Sequence, residues 1–386
     1  MSWEEPPQRR GRRPWLLPAG IGVAVLAVLV VAFALRAGGP STLAVGPSAP
    51  PAAADAADVV DPRDLIPERS GRLRTATESA GSGPLLTDAD LTIVAADDTG
   101  VQFVDTATGD LRRVQVVNTA PASLTDRVFV VGDSIIIDAD ADVVRIRDGG
   151  VRPVRIARNH RAITTIDDRS VWVFDNFSPF VDGIASRVDF DGEVHDQIRL
   201  PAATQPLVGT DAGLVVTAPG AVSVISTDGS RRLVARGTAV AADGERVAWL
   251  QCADEPSCAV VMGTMDDPDQ VRTTLDPAVL PAGFFGIPFG AFSPDGRWLA
   301  LPVYRTRGRR GVEQSTVTVL DTATGIEVLR TDGSSVTPLD QPLAWSPDGR
   351  YLIFVSGSDI HAWRAGSSES TALDTELRGV RALAVR

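Results

Sequence analysis

The chain contains no lysine. All 37 of its basic residues are arginine. So general an absence is compositional and points to no single site, although arginine holds phosphate and carboxylate better than lysine does. Tyrosine, histidine and cysteine are almost as scarce, and aromatic residues make up only 5%. The three histidines, His160, His195 and His361, fall in separate segments, which leaves little from which to assemble a nucleophilic triad or a zinc site. Gly-x-Ser-x-Gly, His-Glu-x-x-His and Walker A patterns are all missing. A net charge of −12 argues against nucleic acid as the main partner. The chain is therefore expected to catalyse nothing and to carry no cofactor or resident metal.

What is present begins with one long apolar run. Residues 15–35 read WLLPAGIGVAVLAVLVVAFAL without a charge. As a helix this run rises about 31 Å, the thickness of a hydrocarbon core. Arg9, Arg10, Arg12 and Arg13 precede it and only Arg36 follows closely. The positive-inside rule then places residues 1–14 in the cytoplasm and everything beyond the helix outside it. The competing reading is a cleaved signal peptide, since Ala32-Phe33-Ala34 fits a small-x-small cleavage pattern, but the run is longer than a signal core. Either reading exports the body. Residues 36–83, rich in Ala, Pro, Gly, Ser and Asp, have no sustained period and read as a flexible linker.

The body, residues 84–386, repeats itself. Ala291-Phe-Ser-Pro-Asp-Gly-Arg-Trp-Leu returns 53 residues later as Ala344-Trp-Ser-Pro-Asp-Gly-Arg-Tyr-Leu, and Asp105-Thr-Ala-Thr-Gly109 returns as Asp321-Thr-Ala-Thr-Gly325. Pro presets φ, Asp hydrogen-bonds its own backbone and Gly accepts φ > 0, so both motifs are turns between strands. Each unit reads as strand A, a Ser-Pro-Asp-Gly turn, strand B, a variable loop, strand C, an Asp-Thr-Ala-Thr-Gly turn and strand D. About seven such units, 84–117, 121–158, 161–200, 205–236, 238–275, 288–331 and 341–375, predict an all-β propeller of four-stranded antiparallel blades. The tail 380–385 looks like another strand A that could close the ring on blade 1, in competition with residues 84–87.

The Ser-Pro-Asp-Gly units at 291–302 and 344–355 resemble the repeats of TolB-like propellers and the wider WD40-like class. The resemblance is specific for two blades and weaker elsewhere. Gly-His and Trp-Asp signatures are missing, and an anchor and linker stand where TolB carries a small α/β domain. The resemblance implies the fold and a bias towards binding or scaffolding in a bacterial, membrane-anchored protein. Two alternatives stay open: a sensor or accessory subunit of a cell-envelope complex, and a metal-dependent propeller enzyme of hydrolase or lactonase type.

Several segments are candidate sites. Arg305, Arg307, Arg309 and Arg310 crowd between strands B and C of the sixth unit and suit an anionic envelope component or an acidic protein. Phe284, Phe285 and Phe289 lie in a Gly-rich connector between the fifth and sixth units, either a plug between blades or an exposed patch, and Phe177 and Phe180 in the third unit share that ambiguity. Cys252 and Cys258 flank a short loop and are expected to form a disulfide in an oxidising compartment, worth roughly 2 kcal/mol. Asp138, Asp140 and Asp142 mimic the start of a calcium loop but lack its Gly and closing Glu, so a turn explains them better. In such blades the A–B and C–D turns share one face. The odd segments, 175–186, 252–258, 276–290 and 305–313, are then expected on the other, where long loops carry function.

Overall fold

The computed structural model describes residues 77–386 apart from 82, 98–99, 116–124, 140–141, 148–153, 159, 166, 176–180, 211, 255–256, 275–278, 282, 285–286, 289, 307–311, 332–341 and 378. The side chains of some further strand residues, Cys252, Phe284 and Arg305 among them, are also outside the description.

The described residues form seven four-stranded antiparallel blades in a propeller ring. Strands A to D are Thr125–Val131, Ser134–Ala139, Asp142–Arg147 and Val154–Arg158 in blade 2, and His160–Thr165, Ser170–Asp175, Gly183–Asp189 and Val194–Leu200 in blade 3. Blade 4 comprises Gln205–Thr210, Gly213–Ala218, Ala221–Ser226 and Arg231–Ala235, and blade 5 comprises Thr238–Ala242, Arg246–Asp254, Ser257–Thr264 and Val271–Thr274. In blade 6 the strands are Ala291–Phe292, Trp298–Thr306, Val312–Asp321 and Glu327–Arg330, and in blade 7 they are Leu343–Trp345, Tyr351–Ser356, Asp359–Arg364 and Ser370–Leu373.

Blade 1 is assembled from both ends of the described chain. Thr92–Ala96, Gly100–Asp105 and Leu111–Gln115 are its strands B, C and D, and Ala382–Val385 is its strand A. Ile93 pairs with Val385 and Ala96 with Ala382. The tail thus wins the place for which residues 84–87 competed, and those residues form no strand. The reason is packing. All four residues of Ala382–Val385 are buried, Ala382 and Ala384 towards blade 2 and Leu383 and Val385 towards blade 7. A fifth strand, Thr77–Ser79, pairs with Leu111–Gln115 on the outer rim. It falls within the stretch read as linker, because three residues are too few to show a period.

The core is divided among seven apolar clusters, one at each blade–blade interface of the described residues. Within a strand, successive residues serve alternate interfaces: Ile93 and Ala95 face blade 7, Val94 and Ala96 face blade 2. This explains why the inner strands read as continuous apolar runs, such as Ser134-Ile-Ile-Ile, rather than alternating ones. The scarce aromatics concentrate between blades 6 and 7, where Trp363 meets Trp298 and Trp345 edge-on with ring centroids 5.7 and 6.0 Å apart.

Two local readings are corrected. Cys252 and Cys258 do not flank a loop but lie within strands B and C of blade 5, which run on to Asp254 and begin again at Ser257. Arg305 likewise belongs to strand B of blade 6, opposite Gln314, because its ladder extends almost to the tip of the hairpin.

Candidate functional site

The two faces of the ring are built differently. On the first, both recurrent turns close on themselves. Ser293 Oγ donates to Asp295 Oδ1 (2.6 Å) and accepts from the backbone N–H of Trp298 (3.0 Å), and Asp295 accepts from Arg297 N–H (3.1 Å). Ser346, Asp348, Arg350 and Tyr351 repeat this at 2.7, 2.9 and 3.0 Å. In the C–D turns Asp105 accepts from the N–H groups of Ala107 and Thr108, and Asp321 from those of Ala323 and Thr324. Gly296, Gly349, Gly109 and Gly325 sit at φ of 71–77°, where a side chain would be strained.

The two turns of a blade are then tied together. The residue after strand C donates its backbone N–H to the carbonyl just before strand B: Thr106 to Leu91, Thr227 to Ala212, Met265 to Glu245, Thr322 to Arg297 and Ala365 to Arg350, at 2.8–3.2 Å. This bond recurs in five blades whose turn sequences differ. It shows that the A–B and C–D turns share a face, as the strand order requires. The Asp residues there are occupied in holding their own backbone.

The opposite face carries the B–C loops and the D–A connectors. Several of its described acids are paired with arginine. Asp138, buried in blade 2, meets Arg161 of blade 3 at 3.4 Å, and Asp142 meets Arg155 at 2.8 Å. Asp138 and Asp142 therefore serve a tight hairpin and its ion pairs, and Asp140 lies outside the described residues. Asp182 accepts from Arg199 (3.2 Å) and from the N–H of Ala202 (2.9 Å), which fixes the end of the B–C loop of blade 3. Beside it Val181 is 56% exposed, one of three large apolar side chains so exposed among the described residues. His160, at the start of strand A in blade 3, is buried. Its Nδ1 lies 2.5 Å from the Arg158 carbonyl, and its Nε2 has no hydrogen-bond partner. His361 stacks on Phe354, and burial holds its imidazole below the ordinary value.

No family model and no curated protein matches the chain. Solved structures similar to it include a functionally unknown protein from Desulfotomaculum acetoxidans (TM-score 0.47, 14% identity, covering 77% of this chain and 99% of that one). Apo AztD from Citrobacter koseri is similar at TM-score 0.47 and 11% identity (77% and 98% covered), and Kuenenia stuttgartiensis hydrazine synthase at 0.45 and 13% (64% and 80%). At these levels the likeness carries no argument about function.

The expected site residues are distributed as follows. Arg307, Arg309, Arg310, Phe177, Phe180, Phe285 and Phe289 lie outside the described residues, as does the apolar segment 15–35. Among the described residues no helix is long and apolar enough to cross a membrane. The backbone of Arg305 places the start of the Arg-rich stretch at the loop end of blade 6. Phe284 is not in a connector between blades. Its hairpin, Gly283–Phe284 with Ile287–Pro288, interrupts strand A of blade 6, whose first part is Val279–Pro281.

Some structural partners had no sequence signal. Arg145 of blade 2 stacks on Phe190 of blade 3 (4.0 Å), and Arg246 of blade 5 lies over Phe292 of blade 6 (5.6 Å). A Cβ at Gly296 would fall 1.4 Å from the tip of the Arg246 side chain, which could swing aside, so it is the φ of 73° that keeps the glycine there.

Proposed function

We propose that this chain is an extracytoplasmic binding or scaffolding module, held at a membrane by residues 15–35 and engaging a protein or an anionic envelope component on its loop face. The observation that carries this is the asymmetry of the ring. One face spends its polar side chains on closing its own turns. The other carries the B–C loops and D–A connectors, begins the Arg-rich stretch at Arg305 and exposes Val181, which directly follows the Phe177–Phe180 segment in sequence. Long loops on a rigid frame are suited to recognition. Arg305, Arg307, Arg309 and Arg310 form the rim in this reading, and Phe177 and Phe180 supply apolar anchors.

The same reading includes a Cys252–Cys258 disulfide. In blade 5 the register passes from Gln251 opposite Ala259 to Asp254 opposite Ser257, so Cys252 and Ala253 share the position facing Cys258. Such a bulge brings the two cysteine backbones together. Alkylation without reduction followed by mass measurement is expected to leave both cysteines unmodified.

The deciding experiment is in-membrane cross-linking of the full chain with mass spectrometry, run beside a variant carrying Ala at Arg305, Arg307, Arg309 and Arg310. A specific partner cross-linked to the loop face and lost in the variant supports the reading. Cross-links that survive the variant unchanged, or that map to the turn face, overturn it.

A further inference from the structure

Blades 2 and 3 place an arginine at the same point of the repeat. Arg145 stands in strand C of blade 2, two residues before the partner of Ser134, and Arg187 stands in strand C of blade 3, two residues before the partner of Ser170. Both serines open a strand B, and each donates its Oγ to an aspartate of its own turn, Asp133 or Asp167. The blades differ on strand D. Arg187 lies opposite Asp196, and the two side chains form an ion pair. Arg145 lies opposite Val154. Directly opposed residues share a face of the sheet, so blade 2 offers an apolar side chain where blade 3 offers a carboxylate.

Arg145 has the greater need of an acceptor. Only 9% of its side chain is exposed, against 21% for Arg187. Burial lowers its pKa, and Arg147, on the same side of the strand, adds a like charge. Phe190 of blade 3 covers one face of the guanidinium at 4.0 Å, which leaves bonding to the N–H groups in its plane. Nε donates to Ser134 Oγ at 2.8 Å. Nη2 reaches the Asp133 carboxylate at 3.5 Å, long for a hydrogen bond, and that carboxylate is 70% exposed. Asp191 acts only through its charge. Nη1 meets no acceptor among the described residues. A buried cation met so incompletely is costly, and an oxyanion in the plane of its fork relieves that cost.

We propose that Arg145, at the turn end of the seam between blades 2 and 3, is the receiving group of a binding site for a single carboxylate, which takes the part that Asp196 plays for Arg187. The small exposure of Arg145 admits a carboxylate on a slim stem, either a small organic acid or the aspartate side chain of a protein. Arg147, exposed at the rim, attracts it. Asp133 competes for Nη2 but is weakened as a rival, since it also accepts from Ser134 and stands mostly in water. The site lies on the face opposite the loops and does not depend on the function proposed for them.

Titration of the full chain, carrying isotope-labelled arginine, with succinate and with a capped Ala-Asp-Ala peptide tests this by NMR. The Nε–H resonance of Arg145 is identified by its loss in Arg145→Lys. It is expected to move with at least one probe and to stay in place with chloride at equal ionic strength. A response to succinate alone marks a free acid as the ligand, and a response to the peptide marks a protein side chain. Val154→Asp gives blade 2 the acid of blade 3, and this tethered rival is expected to weaken binding about tenfold or more. Val154→Asn is expected to bind as the parent does. Should Val154→Asp fail to fold, Arg145→Lys decides, because it keeps the charge without the fork: the active probe should raise the thermal midpoint of the parent and not that of the variant. A resonance that neither probe moves, equal binding by the parent and a folded Val154→Asp, or equal midpoint rises in the parent and Arg145→Lys overturns the proposal. No loop-face residue takes part, so such a failure leaves the loop-face reading standing, and the reverse holds as well.

Discussion

Tyr351, at the start of strand B in blade 7, donates its hydroxyl to the carboxylate of Asp88, which lies just before strand B of blade 1. The two residues are 263 positions apart and meet because the ring closes between them. Arg364 adds an ion pair to the same carboxylate at 3.4 Å. The Tyr351 hydroxyl first, and Arg364 after it, hold the Asp88 carboxyl below its ordinary value. Tyr351→Phe is expected to return the Asp88 pKa towards the ordinary carboxylate range and to lower the unfolding midpoint. Carboxyl NMR titration checks this, and an unchanged Asp88 titration would contradict the contact.

Closure of the ring rests on Leu383 more than on any polar bond. Its side chain is fully buried with Ile353, Ile360 and Leu377 at the seam. Leu383→Ala is expected to cost about 2–5 kcal/mol. Leu233, 49% exposed on an outer strand, is a control whose replacement by Ala should change stability by no more than about 0.5 kcal/mol. Urea unfolding of both variants decides it, and equal effects would mean that the tail strand is dispensable.

The serines of the repeated turns are expected to matter as acceptors. Ser293 and Ser346 are both fully buried, and each Oγ accepts the backbone N–H of a buried residue, Trp298 or Tyr351. Replacing either by Ala leaves that donor unsatisfied and should cost about 1–3 kcal/mol by equilibrium unfolding. Thr at either position should recover most of the loss.

Asp348 gives the fold an acid-sensitive element. Its hydrogen bond from Ser346 first, then its bonds with Arg350, hold its pKa down to about 2 from an ordinary 3.8. A depressed carboxyl stabilises the folded state fully above the unfolded value and loses that contribution as pH falls through the folded one. The window is therefore between about pH 4 and pH 2. Asp348→Asn should be flatter than the parent across that window when stability is followed against pH, and parallel curves would refute the assignment.

His361 acts in a milder range. Burial lowers its pKa, so its neutral form is favoured in the folded state. Its contribution is present above about pH 6.5 and is lost as pH falls below that value. His361→Gln is expected to remove a shallow decline in stability between neutral and mildly acidic pH. Thermal midpoints at a series of pH values show whether it does.

Much of this architecture was readable before any coordinates. The turn motifs at 293–296, 346–349, 105–109 and 321–325 depend on groups within a few residues of one another, and their paired geometries repeat almost atom for atom. Most unit boundaries followed: the second unit, read as 121–158, spans Thr125–Val131 to Val154–Arg158, whereas the sixth, read from 288, begins at Val279 and the first takes its strand A from Ala382–Val385. The candidate site was less legible. Gly283-Phe-Phe-Gly looked like a connector because strand fragments of two or three residues carry no period. The Cys252–Cys258 segment looked like a loop because its Pro and charged residues obscure a hairpin that pairs nearly to its tip.

Sequence alone therefore determined the strand content, the sevenfold repeat and the chemistry of the turns, since these rest on local φ preferences, local hydrogen bonds and the apolar pattern of single strands. Only the tertiary structure decided which segment closes blade 1, where strand A of blade 6 breaks, and that Tyr351 finds Asp88 or Gly290 finds Val240. Those contacts join residues tens to hundreds of positions apart. No local preference encodes them, and they come into being when the ring brings distant edges into register.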